Sequence, residues 1–191
     1  DVVAEGEYAM RKAGAEDAHM APAVGAGTYY LDSAEDPRRI IREGDMIFID
    51  MAIHVRGYLG DMTRAGIVGA GNKEQRRLLA TVQEAYRTGV RAMRPGADGR
   101  DIYGQVVDCF AAQNWRPFYV HHLSHGLGLG GDRPRIGSAV ADVLAEGDAL
   151  SCEPGIYVPG VGGARVENMI YVGAEGAEEL TQCALDLPMG F

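Results

Sequence analysis

The chain has 191 residues, of which 47% are hydrophobic, and this composition fits one globular domain with a substantial core. Its formal net charge of −9 argues against nucleic acid as a partner, because phosphate binding needs clustered positive charge. No apolar run reaches the length of a membrane span and no secretory signal is recognisable, so no membrane association is expected. The three cysteines lack CxxC spacing, which indicates free thiols and predicts a cytoplasmic protein.

The first predicted elements are a helix over residues 1–14 and a strand with a turn over residues 18–31. Gly14 is a helix stop signal. The next eleven residues, 32–42, are polar and include Pro37, which predicts a loop.

The segment IFIDMAIHVRGYLGDMTR, residues 47–64, places two carboxylates eleven residues apart in apolar surroundings. Asp50 ends a pattern typical of a buried strand, and Asp61 follows the turn signal Gly-Tyr-Leu-Gly. A hairpin would bring the two carboxylates together, and facing carboxylates need a shared proton or a bound cation. The alternative is a solvated hairpin edge on which the two side chains never meet.

A similar arrangement recurs in the second half of the chain. The sequence Glu-Gly-Asp at residues 43–45 is followed five residues later by Asp50. The same tripeptide at residues 146–148 is followed five residues later by Glu153, and Glu167 lies fourteen residues further on. We interpret this as a weak internal duplication. Four converging carboxylates would be hard to explain without metal, so the sequence predicts a metal site.

Between the two halves, apolar spacing predicts a helix over residues 73–93 with Asn72 as its N-cap. A second helix is predicted from Asp101 to about residue 114. The segment HHLSHGLGLGGD, residues 121–132, then combines histidines with glycines that let the backbone approach another group closely. Neither a lysine nor a helix follows as a phosphate-binding loop requires, so its histidines are better candidates for metal ligands.

Arg165 lies two residues before Glu167 and shares its strand face. The arginine is therefore a candidate for orienting a metal-bound carboxylate. A plain salt bridge is the alternative, and it would contribute little stability if it were exposed.

Four segments together resemble the pita-bread family, whose members include methionine aminopeptidase, Xaa-Pro aminopeptidase, Xaa-Pro dipeptidase and creatinase. These segments are IDMAIHVRGYLGDMTR, HHLSHGLGLGG, SCEPGIYVPG and GARVEN. The resemblance is strongest to the Xaa-Pro branch. It implies an α+β fold, with a pseudo-twofold pair of αβ halves around a curved antiparallel sheet and helices on the outer face. It also implies that residues 1–191 are the catalytic domain, without its first N-terminal helix and any preceding domain.

The resemblance also implies roles for individual residues and a cofactor of two divalent ions. The five implied metal ligands are Asp50, Asp61, His125, Glu153 and Glu167. Such ligands suit Mn²⁺, Co²⁺, Zn²⁺ or Fe²⁺, with manganese our working choice. The implied catalytic residues are His121, Glu153 and Asp132, where Glu153 would carry the proton to the leaving amine. The candidate substrate-binding residues are His121, Ser33, Asp132, Arg165 and Tyr30.

Two of these positions depart from the pattern of the Xaa-Pro peptidases. Those enzymes have histidines where this chain has Ser33 and Asp132. The expected activity is metal-dependent hydrolysis of an Xaa-Pro peptide, but the departures leave two alternatives open. One is an enzyme that hydrolyses a small C–N compound or acts as a lyase, and the other is a non-catalytic binding module. The predicted partner is a small peptide or small-molecule substrate, and a homodimer is left open.

Overall fold

The computed structural model describes residues 1–31, 38–130 and 133–187. Ser33, Asp132 and most of the predicted loop over residues 32–42 therefore lie outside the described residues. The helices are α1 (Val2–Lys12), α2 (Lys73–Ala92) and α3 (Gly99–Ala111), with short 3-10 helices at Gly25–Tyr29 and Arg116–Phe118. The strands are β1 (Asp17–Val24), β2 (Met46–Val55), β3 (Tyr58–Ile67), β4 (Ala149–Cys152), β5 (Gly155–Val158), β6 (Gly162–Arg165), β7 (Asn168–Gly173) and β8 (Gly176–Glu179).

The first half of the chain forms an antiparallel sheet in the order β1-β2-β3. In its register, Asp50 is opposite Thr63 and Ala52 is opposite Asp61. Because opposite residues share a face and side chains alternate along a strand, Asp50 and Asp61 point to the same side of the sheet. The predicted hairpin is confirmed, but its turn is Arg56-Gly57 rather than the Gly-Tyr-Leu-Gly segment. Both turn residues have positive φ, at 53° and 78°, as a two-residue hairpin turn requires.

The second half contains the antiparallel sheet β4-β7-β8 and the hairpin β5-β6. Cys152, the last residue of β4, pairs with Asn168, the first residue of β7. Continuing that register by one residue sets Glu153 opposite Glu167. The predicted strand leading to Glu153 is thus confirmed, whereas Glu167 lies between β6 and β7 rather than inside a strand.

The two Glu-Gly-Asp turns have the same hydrogen bonds, which supports the predicted duplication. The amide of Gly44 donates to the Val68 carbonyl at 2.8 Å, and Gly147 donates to Val172 at 2.8 Å. Both glycines have positive φ, at 87° and 94°, which glycine adopts without steric cost. The aspartates of both turns also accept from a backbone amide three residues earlier, at 2.9 Å from Arg42 and 2.7 Å from Ala145.

Helix α2 confirms the helix predicted for residues 73–93. Asn72 caps it through a reciprocal capping box, in which the Asn72 side chain accepts from the Gln75 amide at 2.9 Å. Helix α3 begins at Gly99 instead of Asp101, because the Asp98 side chain accepts from the Arg100 amide at 2.8 Å and so caps the helix earlier. The two helices contribute Tyr86 and Phe110 to one core that they share with the strands.

Within the described segments, the structure has no helix that is both long and apolar enough to cross a membrane. The predicted free thiols are confirmed for Cys109, Cys152 and Cys183. Cys152 is fully buried in the core, on the opposite side of the chain from the cavity that contains Glu153.

Candidate metal centre

All five predicted metal ligands line one cavity of about 440 Å³ between the two halves of the chain, together with His121 and Arg165. Asp50 and Asp61 reach it from β2 and β3, and Glu153 and Glu167 reach it from the ends of β4 and β6. His125 comes from the irregular segment between α3 and β4. That segment is held in place because the Leu123 carbonyl accepts from the Glu153 amide at 2.9 Å. The structure therefore brings all five predicted metal ligands to one place.

His125 occupies the centre of the carboxylate cluster. Its Nε2 atom lies 3.4 Å from Glu153 Oε1, 3.5 Å from Asp61 Oδ2 and 4.0 Å from Glu167 Oε1. Its Nδ1 atom lies 3.0 Å from the Gly126 carbonyl oxygen, which can only accept a hydrogen bond. In the neutral imidazole, Nδ1 therefore carries the proton and the Nε2 lone pair faces the carboxylates. Without a metal ion, the hydrogen bond with Asp61 outweighs burial and raises the pKa of His125 to about 9.

Glu167 gives the clearest sign that a cation belongs in this cavity. Its side chain is almost completely buried, and Oε2 accepts from Thr63 Oγ1 at 2.7 Å. Its Oε1 atom has no hydrogen-bond partner among the described residues. Burial, followed by the charges of Glu153, Asp61 and Asp50, raises its pKa well above the ordinary value. A buried carboxylate oxygen without a donor is costly, and a divalent cation coordinated by Oε1 would remove that cost.

Asp50 differs from the other four candidate ligands because an arginine guanidinium contacts its side chain. The Arg165 guanidinium donates to Asp50 Oδ2 through Nη2, to Thr63 Oγ1 through Nε at 3.2 Å and to Tyr157 Oη through Nη1 at 3.1 Å. Burial raises the pKa of Asp50 in spite of Arg165, with further increases from Asp61 and Glu153. Arg165 thus contacts one candidate ligand directly and reaches Glu167 through Thr63. Its role in orienting carboxylates stays a prediction.

His121 also lines the cavity, but its contacts differ from those of His125. Its Nδ1 atom lies 2.7 Å from the His122 carbonyl oxygen, and its Nε2 atom lies 3.1 Å from Tyr157 Oη. Burial lowers the pKa of His121 to about 4, although Glu153 acts in the opposite direction. The imidazole is therefore neutral near pH 7. A substrate group can replace the Tyr157 hydroxyl as the hydrogen-bond partner of Nε2.

The structure adds one histidine that sequence reasoning missed. His122 Nε2 lies 3.0 Å from Glu153 Oε1, and its ring centroid lies 5.7 Å from that of His125. The signal was present in the three histidines of HHLSH, but an irregular segment has no periodicity that tells which of them face the cavity.

Tyr30 is 62% exposed and lies outside the described lining of the cavity, where its neighbour Leu31 is found. Its role in substrate binding stays a prediction.

The donor atoms of this cavity fit divalent metal. Two groups have ligand-type atoms within 4.8 Å of one another, namely His122, His125 and Glu153, and Asp61, His125 and Glu167. Oxygen ligands with one or two imidazoles suit Mn²⁺, Fe²⁺, Co²⁺ or Zn²⁺. The geometry and a Glu167 oxygen that has no hydrogen-bond partner among the described residues together define a candidate centre for divalent metal between the two halves of the chain.

Comparisons with known proteins agree with this assignment. The profile of metallopeptidase family M24 matches residues 1–174. A curated relative, the Xaa-Pro dipeptidase of Pyrococcus furiosus, is 32% identical over 191 residues, which cover 98% of this chain and 54% of that protein. The crystal structure of the prolidase from Pyrococcus horikoshii superposes with a TM-score of 0.90 at 31% identity, covering 96% of this chain and 53% of that one. The X-Pro aminopeptidase from Thermotoga maritima gives a TM-score of 0.91 at 27% identity, covering 97% and 53%.

These findings establish first that the fold is the α+β pita-bread fold implied by the sequence, on which the candidate metal centre is built. The chain belongs to metallopeptidase family M24. It spans about half the length of the curated relatives that it matches.

Proposed function

We propose that the protein is a metal-dependent peptidase that cleaves the amide bond of Xaa-Pro dipeptides. The observation that carries the proposal is the convergence on one cavity of Asp50, Asp61, His125, Glu153 and Glu167. One buried oxygen of Glu167 has no hydrogen-bond donor among the residues that the structure describes. Similarity to proteins named Xaa-Pro dipeptidase favours this substrate class over a small C–N compound and over a non-catalytic role.

The candidate metal ligands come from both halves of the chain. We propose that Asp61 and Glu167, whose carboxylate oxygens lie 3.5 and 4.0 Å from His125 Nε2, would contribute to both sites for divalent ions. Asp50 would contribute to one of these sites, and His125 and Glu153 to the other. When bound, such ions supply an ionised water near neutral pH and polarise a carbonyl group.

The remaining steps fall to side chains of the chain itself. Glu153 takes the proton of the attacking water and delivers it to the leaving nitrogen of proline. His121, neutral near pH 7 with its proton on Nδ1, accepts a hydrogen bond through Nε2 from a donor group of the substrate. Arg165 fixes the orientation of Asp50 and, through Thr63, of Glu167. Ser33, Asp132 and Tyr30 stay candidates for contacts with the substrate.

Three further properties belong to the same proposal. Manganese is the working metal, because four of the five candidate ligands are carboxylates and carboxylate oxygens suit this ion. A cytoplasmic location is supported by the free thiols of all three cysteines. A homodimer is proposed as the working assembly, to be tested by sedimentation of the metal-loaded protein.

The direct test measures proline released from Gly-Pro and Ala-Pro after the purified protein is loaded with Mn²⁺. We expect release that depends on metal and is lost in Asp61→Asn, which removes a candidate ligand. Asp108→Asn is the matched control, because Asp108 is an exposed carboxylate on α3. Failure to release proline from any Xaa-Pro dipeptide by a protein that has bound two ions would refute the proposal.

A further inference from the structure

In the HHLSH segment, His122 differs from the other two histidines in what its Nδ1 atom contacts. In His121 and His125, Nδ1 lies 2.7 and 3.0 Å from a backbone carbonyl oxygen. A carbonyl only accepts, so Nδ1 carries the proton in the neutral ring and Nε2 presents a lone pair. This is the arrangement found in most metal-bound histidines, whose second nitrogen donates to a carbonyl or carboxylate.

His122 has the opposite environment. Its Nδ1 atom lies 3.5 Å from Nη2 of Arg135, at the long end of the hydrogen-bond range. A guanidinium group has donors but no acceptor, so a proton on His122 Nδ1 would point at a cation. The favoured neutral tautomer therefore carries its proton on Nε2, the nitrogen that lies 3.0 Å from Glu153 Oε1. In that tautomer Nε2 has no lone pair available for a metal ion.

Glu153 is the natural acceptor for this N–H group. Its Oε1 atom also accepts from Ser151 Oγ at 3.0 Å, so two donors approach one oxygen of a nearly buried carboxylate. Two fixed donors on Oε1 restrict rotation of the carboxylate about its last bond. The other oxygen, Oε2, would then serve a cation or the proton that Glu153 carries in the proposed reaction.

We propose that His122 is a positioning residue and not a metal ligand. As its Nε2–H tautomer, selected by Arg135, it donates to Glu153 Oε1 and holds that carboxylate in the orientation the reaction needs. The proposal rests on the proposed function for its kinetic consequences only. The tautomer and the number of bound ions can be measured whether or not the protein cleaves Xaa-Pro dipeptides.

The experiment compares His122→Gln and His122→Ala with wild type in the full chain. The Gln amide nitrogen can reach roughly the position of imidazole Nε2 and donate to Glu153, whereas Ala cannot. The His122 side chain is 30% exposed, so neither change opens a cavity in the core. His19→Gln is the matched control, because His19 is an exposed histidine on β1.

Three readouts decide the question. Equilibrium dialysis against Mn²⁺ and against Co²⁺ should give the same number of bound ions for wild type and both variants. Gly-Pro cleavage should show kcat reduced about tenfold in His122→Ala with little change in KM, and kcat restored to within about threefold of wild type in His122→Gln. Long-range ¹H–¹⁵N spectra of the metal-free protein should show His122 protonated on Nε2 in wild type, and mixed tautomers in Arg135→Met.

Loss of one bound ion in both variants would overturn the proposal, because it would make His122 a metal ligand. An Nδ1-protonated His122 would overturn it equally. Unchanged kinetics in His122→Ala would show that Glu153 needs no positioning by this side chain. If wild type releases no proline, the proposed function fails, while the ion count and the tautomer still decide whether His122 is a ligand.

Discussion

The substitution Glu167→Gln is expected to stabilise the metal-free protein and to destabilise the metal-bound protein. Gln keeps the size of the side chain and its contact with Thr63 but removes a charge that burial and three neighbouring carboxylates disfavour. Without metal, the variant should therefore be more stable than wild type above the ordinary Glu pKa. With metal, wild type should be more stable than the variant, because the carboxylate coordinates a cation that the neutral amide binds weakly.

The sign of the pH dependence follows from the raised pKa of Glu167. The folded state favours the protonated acid, so wild type has its full stability below the unfolded pKa of about 4.5. Stability is then lost as the pH rises from about 4.5 to the raised pKa of the folded state. Within that window the slope is at most about 1.4 kcal/mol per pH unit for one group. For a domain of this size, that corresponds to roughly 3–5 °C in Tm per pH unit.

The metal effect has the opposite sign and a comparable size. A ligand at 100 times its Kd stabilises the folded state by about 2.7 kcal/mol, or roughly 5–10 °C in Tm. Differential scanning calorimetry of wild type and Glu167→Gln should be run at pH 5 and pH 8, with EDTA and with excess Mn²⁺. Glu175→Gln is the control, since Glu175 is exposed in the turn between β7 and β8. A wild type that is more stable than Glu167→Gln in EDTA at pH 8 would refute the reasoning.

Three other changes test separate parts of the structure. Arg165→Lys keeps the positive charge but loses the planar guanidinium that contacts Asp50 and two hydroxyl groups. We therefore expect kcat/KM for Gly-Pro to fall at least about tenfold. A smaller loss would show that the guanidinium contacts are dispensable. Asn72→Ala removes the cap of α2 and should lower the free energy of unfolding by about 1 kcal/mol in urea titrations, whereas Lys73→Ala should not. In the folded state His121 has a pKa of about 4, so on acidification the unfolded state binds this proton first. The free energy of unfolding of wild type should therefore fall between about pH 6.5 and pH 4. His121→Asn should make this pH dependence weaker, and an unchanged pH dependence would contradict the lowered pKa of His121.

The parts of the molecule that sequence predicted correctly are those with a repeating local pattern. Alternation along β2 and β3 fixes the shared face of Asp50 and Asp61, because a one-residue slip would move them to opposite faces. The apolar spacing of α2 and its Asn72 cap likewise define a helix without help from distant contacts. The resemblance to a known family supplied the ligand roles, and the structure brings those residues together.

The parts that sequence could not predict depend on contacts between segments far apart in the chain. Asp50 and Arg165 are 115 residues apart, and no local pattern pairs them. The orientation of His122 depends on Arg135 and Glu153, which approach it from two different segments. The start of α3 was misplaced for a local reason, because Asp98 and Asp101 are both acceptable caps and only the observed contact with Arg100 chooses between them.

The position of the candidate site follows from how the two halves of the chain are joined. Thr63 in β3 and Glu167 form an antiparallel bridge, in which the Glu167 amide donates to the Thr63 carbonyl at 3.0 Å. The buried Arg64 guanidinium then donates to the carbonyl oxygens of both residues, at 2.8 and 2.6 Å. The carboxylates of each hairpin therefore meet where backbone hydrogen bonds already connect the halves. Each half brings negative charge to this junction, and bound cations would convert that repulsion into a link between the halves. Metal binding should consequently slow the exchange of the Glu167 amide hydrogen more than that of amides in α1, which packs on β1 away from the junction.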